Sequence, residues 1–478
     1  MPKKKDKKEE VYTTFYVEDG VNTLVTREAK DILDEIFCFP YTFYKQMPYG
    51  GKKQIKTVKT VISKGKVNCN MPTGLVPIAV SYLKSKGITV KLEGYHEKLK
   101  FKKPSLPGIT FRKDQMEAIK SILFSDWQRG VLIAPTGTGK TITALGLISA
   151  LYPKHKILIL AHTRDLVDQF YEELIKFGFK NVSVLKGKDY KFGNITLSTD
   201  KKLANINPKE YCTMFDAVIV DEFHHCSGFS TQYAKILSTL AAPIKVGITA
   251  TLPDSVESQL AMKSFAGPVQ YELTMHKAQE LNLITVPKVK MFTYKPVEKD
   301  YDVRKYSDIY NKFIVDNRNR NNLILDIAEY HISKQEPVLI CVKTLEHIDK
   351  LLKLAKLKKL AVYGAQGKTH TDERKEIITN MKNKKYLCCI ATKVFDEGIN
   401  IPSLQVVINA GSGKSKIQNL QKPGRGTRLS KGKESMTLID FIDPYRFLSE
   451  HSCERMMLYA EQNWDIEVIN PMARKMFE

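Results

Sequence analysis

From residue 130 onward, short uninterrupted apolar runs alternate with longer segments in which apolar and polar residues trade places at helical spacing. One set of runs is GVLIA (130–134), KILILAH (156–162), AVIVDE (217–222) and KVGITA (245–250). A second is PVLICVK (337–343), KLAVYG (359–364), YLCCIAT (386–392), QVVINA (405–410) and MTLIDF (436–441). A strand that is apolar on both faces must be covered on both, and helix-length connections supply the cover. Each set therefore predicts a buried parallel sheet. LNLITVPKVKMFTYKPVEKDYD (281–302) connects the two sets. Ahead of them the texture differs: short alternating segments such as VYTTFYV and TVKTVIS, and one helix in VPIAVSYLKSKG (76–87). KKPSLPG (102–108), with its two prolines and a glycine, reads as a linker. The expected architecture is α/β, two parallel-sheet domains in tandem behind a small α+β N-terminal domain. The expected boundaries are a charged tail over 1–10, an accessory domain over 11–104, and sheet domains over 105–284 and 285–478, the last ending in a helical extension.

Charge adds a partner to this picture. Lys and Arg number 75 against 52 acids, a net charge of +23 over 478 residues. From Lys45 to Lys103 there are 14 lysines, no arginine, and two acids, Glu93 and Glu97. Such an excess favours polyanions, nucleic acid first and an anionic membrane surface second. The apolar content of 43% excludes a disordered chain, and the eight scattered cysteines, none in a C-x-x-C pair, suit reduced thiols. No apolar run approaches the roughly 18 residues of a membrane span, and MPKKKDKKEE lacks the apolar stretch of a secretory signal. A cytoplasmic protein with no membrane partner is expected.

Two motifs carry chemistry. APTGTGKT (134–141) follows an apolar run and opens a helical one, the context a phosphate-binding loop requires. Pro135, Thr136, Gly137, Thr138 and Gly139 can close their backbone N–H groups around phosphates. Lys140 can reach the β- and γ-phosphates, and the Thr141 hydroxyl can bind Mg²⁺. The usual first glycine of this pattern is Ala134 here. In FDAVIVDEFHH (215–225) the acids follow a strand, where open α/β sheets place their ligands. Asp221 suits Mg²⁺ and Glu222 suits the deprotonation of an attacking water. ATP and Mg²⁺ are the expected cofactors. His224 and His225 have no Cys/His partner at zinc-ligand spacing.

The ordered motifs resemble those of superfamily-two helicases of the DExH type. FRKDQMEAI (111–119) resembles the Q-motif region, with Arg112 and Gln115 set toward the nucleotide, although an ordinary polar helix residue reads as well at Gln115. AHTRDLVDQF (161–170), TLSTDKKL (196–203), TAT (249–251), CVKTLEH (341–347), ATKVFDEGINIP (391–402) and QKPGRGTR (421–428) resemble the later motifs in order. The resemblance spans 109–445 and implies two RecA-like domains with ATP in the cleft between them. It also implies Arg425 and Arg428 as arginine fingers, Asp396 and Gly398 facing the nucleotide, and Gln421 and His224 coupling the two domains. Thr163, Arg164, Ser198, Thr199 and Thr392 would contact strand phosphates. One departure stands in the last motif, Lys422 and Pro423 where related proteins carry an arginine and an aliphatic residue.

GKVNCNMPTGLVPIAVSYLKSKG (65–87) and the C-terminal IDFIDPYRFLSEHSCERMMLYAEQNWDIEVI further resemble phage branch-migration helicases of the UvsW type and, more distantly, repair helicases of the XPB kind. This implies a monomeric DNA motor on forks, single strands and branched junctions, of 3′→5′ polarity, in the host cytoplasm if phage-encoded, with recombination or replication proteins as partners. A DExH RNA helicase and a binding scaffold with a weak motor are the alternatives.

Overall fold

The computed structural model describes residues 11–46, 52–94, 98–296, 305–365, 371–392, 401, 404–413 and 436–471. By compactness the chain divides after Glu272, so Leu273–Ile284 groups with the second unit rather than the first. Met275, inside that stretch, packs against the second unit's core.

The N-terminal strands are β1 (Val11–Val17), β2 (Asn22–Val25), β3 (Cys38–Gln46), β4 (Lys52–Thr60), β5 (Ser63–Lys64), β6 (Cys69–Pro72) and β7 (Ile88–Glu93). Five of them form a sheet of order β5-β6-β2-β1-β7, in which β1 and β7 are parallel and the other pairs antiparallel. The helix Arg27–Phe37 starts where the Thr26 side chain accepts from the Ala29 amide. Its buried Ala29, Leu33 and Phe37, four residues apart, present one apolar stripe. That stripe meets Phe15, Ala79 and Leu83 in a common core. β3 and β4 stand apart as a long hairpin, in register from Cys38↔Thr60 to Gln46↔Lys52.

This region is not joined to the next domain by a linker. Leu106 is buried in the core of the following domain, and Leu99 and Phe101 pack against it. The Lys102 amide donates to the Ala150 carbonyl at 2.9 Å, and the Ser105 amide to the Ser149 hydroxyl at 3.1 Å. The prolines and glycine of 102–108 shape a strap bound along a helix, not the free linker that their composition suggests. Two glycines bring the N-terminal backbone against the domain it precedes. A Cβ on Gly20 would lie 2.4 Å from the Ala242 carbonyl oxygen, and one on Gly74 2.3 Å from that of Lys263. Leu260, from the helix Val256–Ala266, completes the N-terminal core.

The first parallel-sheet domain is a seven-stranded sheet, β8 (Gly130–Ile133), β9 (Ile157–Ala161), β10 (Val182–Val184), β11 (Ile195–Thr199), β12 (Ala217–Val220), β13 (Ile244–Thr249) and β14 (Val269–Glu272), in the order β10-β11-β9-β12-β13-β8-β14. Separate apolar cores cover its two faces. Because β13 lies between β8 and β12, the TAT segment emerges between the phosphate-loop strand and the strand that carries the acids.

The second unit repeats the plan with β15 (Pro287–Thr293), β16 (Val338–Cys341), β17 (Tyr363–Ala365), β18 (Cys388–Ala391), β19 (Val406–Asn409), β20 (Met436–Ile442) and β21 (Ile466–Ile469), in the order β17-β18-β16-β19-β20-β15-β21, again all parallel. The C-terminal extension is more than helical: after the helix Leu448–Glu461, β21 pairs with β15 and extends the sheet. Among the described residues no helix is long and apolar enough to cross a membrane.

Candidate active site in the first parallel-sheet domain

The phosphate loop leaves β8 and turns into the helix Lys140–Leu151. Gly137 and Gly139 take φ of +93° and +86°, a conformation open to glycine at little cost. The loop is tethered at its start, where the Ala134 amide donates to the Thr249 carbonyl at 3.0 Å, and internally, where the Thr138 hydroxyl donates to the Pro135 carbonyl at 2.8 Å. Lys140 Nζ is buried and makes no hydrogen bond. A buried amine without an acceptor is costly in isolation and is the complement of a phosphate. Thr141 follows it in the first turn, half-buried. The residues present therefore fit a Mg²⁺-bound nucleoside triphosphate, with Lys140 on the phosphates and Thr141 and Asp221 toward the metal.

Gln115 is 4% exposed, so it is not a surface helix residue. Its Oε1 accepts from the Arg112 amide at 3.2 Å and caps the helix Lys113–Leu123. Its Nε2 sits where a Cβ on Gly139 would be only 2.7 Å away. Gln115 thus packs against the phosphate loop itself. The Arg112 guanidinium is held by both oxygens of Asp114, at 3.0 and 2.8 Å.

Asp221 and Glu222 leave β12 buried. The Asp221 amide donates to the Leu160 carbonyl at 3.0 Å. Burial, then the adjacent Glu222 carboxylate, push the Asp221 carboxyl up to about 7, while Lys140 and His162 pull it down. Glu222 has φ +48°, uncommon for a residue with a side chain and a form of local strain found at functional sites. His224 Nδ1 lies 3.5 Å from Glu222 Oε2 and 3.3 Å from the Thr249 hydroxyl. That hydroxyl donates its own proton to the Thr251 carbonyl at 3.0 Å, so the proton between ring and hydroxyl belongs to Nδ1. His224 therefore links the acid pair to the TAT segment inside one domain. Among the described residues no cluster of three or more His, Cys, Asp or Glu could hold a metal ion.

The expected phosphate contacts fare differently. Ser198 is fully buried and its hydroxyl donates to the Thr199 carbonyl at 3.0 Å, so it packs beneath the surface and does not present a hydroxyl to a strand. Thr163 and Thr199 cap helices, accepting from the Leu166 and Lys202 amides at 3.3 and 3.2 Å. Arg164 is exposed on the first turn of its helix, and Thr392 is buried just beyond β18. Asp396, Gly398, Gln421, Arg425 and Arg428 lie outside the described residues.

The motifs did not reveal a buried polar network in the second unit. Arg320 donates to Asp443 at 2.9 Å, the Ala410 carbonyl at 3.0 Å and the Ser412 hydroxyl at 2.7 Å. Tyr294 also donates to Asp443, at 2.8 Å. Arg320 thus fixes the root of the loop that follows β19. Its partners lie 90 to 123 residues away in sequence, so local spacing carries no signal for it.

Residues 108–254 match the family described as type III restriction enzyme, res subunit, and residues 319–430 match the helicase conserved C-terminal domain. The DNA 3′-5′ translocase XPB2 of Sulfurisphaera tokodaii is 26% identical over 370 residues, covering 70% of this chain and 82% of its own. The ATP-dependent DNA helicase uvsW of Enterobacteria phage T4 is 25% identical over 379 residues, covering 72% and 74%. Among solved structures, S. cerevisiae Dbp5 bound to RNA and ADP BeF3 superposes with a TM-score of 0.58 at 17% identity, over 77% of this chain and 93% of that one, a likeness of fold alone.

Proposed function

The chain belongs to the superfamily-two helicases, two RecA-like domains in tandem, and from that premise we propose that it is an ATP-dependent DNA helicase and translocase that unwinds forks and branch-migrates replication or recombination junctions with 3′→5′ polarity. Bound Mg²⁺-ATP supplies the phosphoanhydride whose hydrolysis drives the cycle. Lys140 neutralises phosphate charge, and the amides at the start of its helix orient the phosphates. Asp221 and Thr141 would hold the Mg²⁺ that offsets phosphate charge. Glu222 takes a proton from the attacking water, and His224 holds Glu222 in place from the TAT segment. Arg425 and Arg428 act on transition-state charge as fingers.

The observation that carries the DNA reading is the fusion of the lysine-rich N-terminal region to the first motor domain through Gly20, Gly74 and Leu260. Lysines that hold duplex phosphates then move with the motor rather than trailing it on a tether. The names of the XPB2 and uvsW relatives support the same substrate. ATPase and unwinding on single strands, forks, four-way junctions and RNA test the proposal. Stimulation by DNA with unwinding of forks and junctions is expected. Preferential stimulation by RNA would replace this reading with an RNA helicase, and absence of turnover would leave a binding scaffold.

A further inference from the structure

Between the β3–β4 hairpin and the segment that follows the motor's acids lies a cavity of about 500 Å³, within the size range of small-molecule sites. Phe39 and Tyr41 line it from β3, Lys59 from β4, and Phe229, Lys245 and Glu257 from the motor side. Its chemistry is specific. Phe39 and Phe229 stack with ring centroids 5.7 Å apart and planes 17° apart, and Phe265 meets Phe229 at 6.2 Å. Phe229 nonetheless remains 36% exposed, although rings of this size are usually covered. Lys59 Nζ sits 3.3 Å from the Tyr41 ring centroid.

Lys245, on β13, is 3% exposed, and its Nζ donates to the Leu237 carbonyl at 3.0 Å. One acceptor leaves a lysine amine with donor capacity unspent. Burial, reinforced by Arg129, holds this ammonium well below the usual lysine range, against the pull of Asp19. The cavity therefore combines flat aromatic walls, a buried donor in Lys245 and an acceptor in Glu257. A phosphate would suit Lys245 but not Glu257. A flat ring that bears both a keto oxygen and an amino group suits both, and that is the pairing edge of a nucleobase.

We infer that this cavity receives an unpaired nucleobase, stacked on Phe229 and bonded along its pairing edge by Lys245 and Glu257. The inference rests on the DNA-motor reading above for its source of unpaired bases. At a fork or junction, pairing is lost where strands part, and an extruded base is cheapest to capture there.

Forked DNA carrying one 2-aminopurine at successive positions near the branch tests this, because stacking quenches the probe. The full-length protein should quench it at one or two positions. Phe229→Ala should weaken that quench about tenfold, and Lys245→Met should weaken it while preserving the side chain's bulk. Both variants should keep the thermal midpoint of folding within a few degrees and retain DNA-stimulated ATPase. A parallel titration of free 2-aminopurine deoxynucleoside monophosphate distinguishes the two sources of a base. Saturable quenching removed by Phe229→Ala would assign the cavity to a free nucleotide, and quenching only within DNA assigns it to the strand. Quenching that is absent, or unchanged in Phe229→Ala, while DNA-stimulated ATPase is normal would overturn the inference. Loss of DNA stimulation in the unaltered protein would instead overturn the DNA-motor reading.

Discussion

The Arg129 guanidinium, 1% exposed, donates to the Gly20 carbonyl at 3.2 Å and so binds the N-terminal region to the motor's first domain. Its other nitrogens donate to Phe265 and Ala266 at 2.8 and 3.3 Å. A protein lacking residues 1–104 would expose Leu260, strip Arg129 of the Gly20 acceptor and remove the packing of Phe101. It should be insoluble or melt far below the full chain. Arg129→Ala should cost about 3 kcal/mol, since it leaves buried carbonyls unpaired. Thermal melting and limited proteolysis check both, and a soluble truncated protein with full ATPase activity would show the interface to be dispensable.

Because truncation is expected to destabilise the first sheet domain, the lysines are tested by substitution. Lys53, Lys56 and Lys64 replaced together by Gln should flatten the log–log salt dependence of fork binding by about 0.9 for each duplex phosphate that these side chains neutralise. Little sequence preference should change, since lysine acts as a point charge on the backbone. An unchanged slope would remove these lysines from the DNA path.

Lys140 should show opposite effects on stability and function. Its Nζ is buried without a hydrogen bond, so Lys140→Met relieves a buried polar group and should raise the melting temperature of the nucleotide-free protein. The same change should abolish ATP turnover and weaken nucleotide binding. Glu222→Gln should bind ATP and barely hydrolyse it, whereas Arg425→Ala and Arg428→Ala should lower turnover far more than nucleotide affinity. Calorimetry beside steady-state ATPase separates these outcomes, and normal turnover in Glu222→Gln would rule out its role as base.

Asp221 gives a pH dependence. Burial and Glu222 raise its carboxyl from 3.8 to about 7, so the folded state binds more protons than the unfolded one across that interval. The contribution of this group to stability therefore falls as pH rises through it. Without Mg²⁺ and nucleotide, Asp221→Asn should be more stable than the unaltered protein by roughly a few kcal/mol at pH 8. The gain should shrink as pH falls and vanish only well below pH 4, where the carboxyl is protonated in the folded and the unfolded chain alike. Denaturant melts across the range measure it, and a pH-independent difference would place the carboxyl outside this field.

Much of this was legible in sequence where function and strand share a short window. AVIVDE gives both β12 and the acids after it, and APTGTGKT gives a loop whose glycines take the left-handed backbone. Pairings made across long separations were not legible. Arg129 meets Gly20 109 residues away, and Arg320 meets Asp443 123 residues away. The two prolines and glycine of 102–108 suggested a linker because composition says nothing of Leu106, buried in the motor core. Ser198 and Thr199 look alike as loop hydroxyls, yet one is sealed inside and the other caps a helix. β21 was missed because IEVI exposes two of its four residues and becomes a strand only beside β15.

Gly247 tests how closely the sheet positions the base. On β13, a Cβ at Gly247 would lie 2.1 Å from Phe223 Cδ1, and Phe223 follows Glu222, whose own φ is already +48°. Gly247→Ala must displace the ring and with it the backbone that aims the carboxylate. Overpacking of this kind costs about 1–3 kcal/mol, so folding should survive. Turnover should fall at least tenfold with KM for ATP little changed, because Lys140 and the phosphate loop are untouched. Trimming the ring in the same chain, Gly247→Ala with Phe223→Leu, should recover part of the lost rate by making room for the new methyl. If Gly247→Ala instead kept full kcat, or if the double variant were slower still, the position of Glu222 would not depend on this contact.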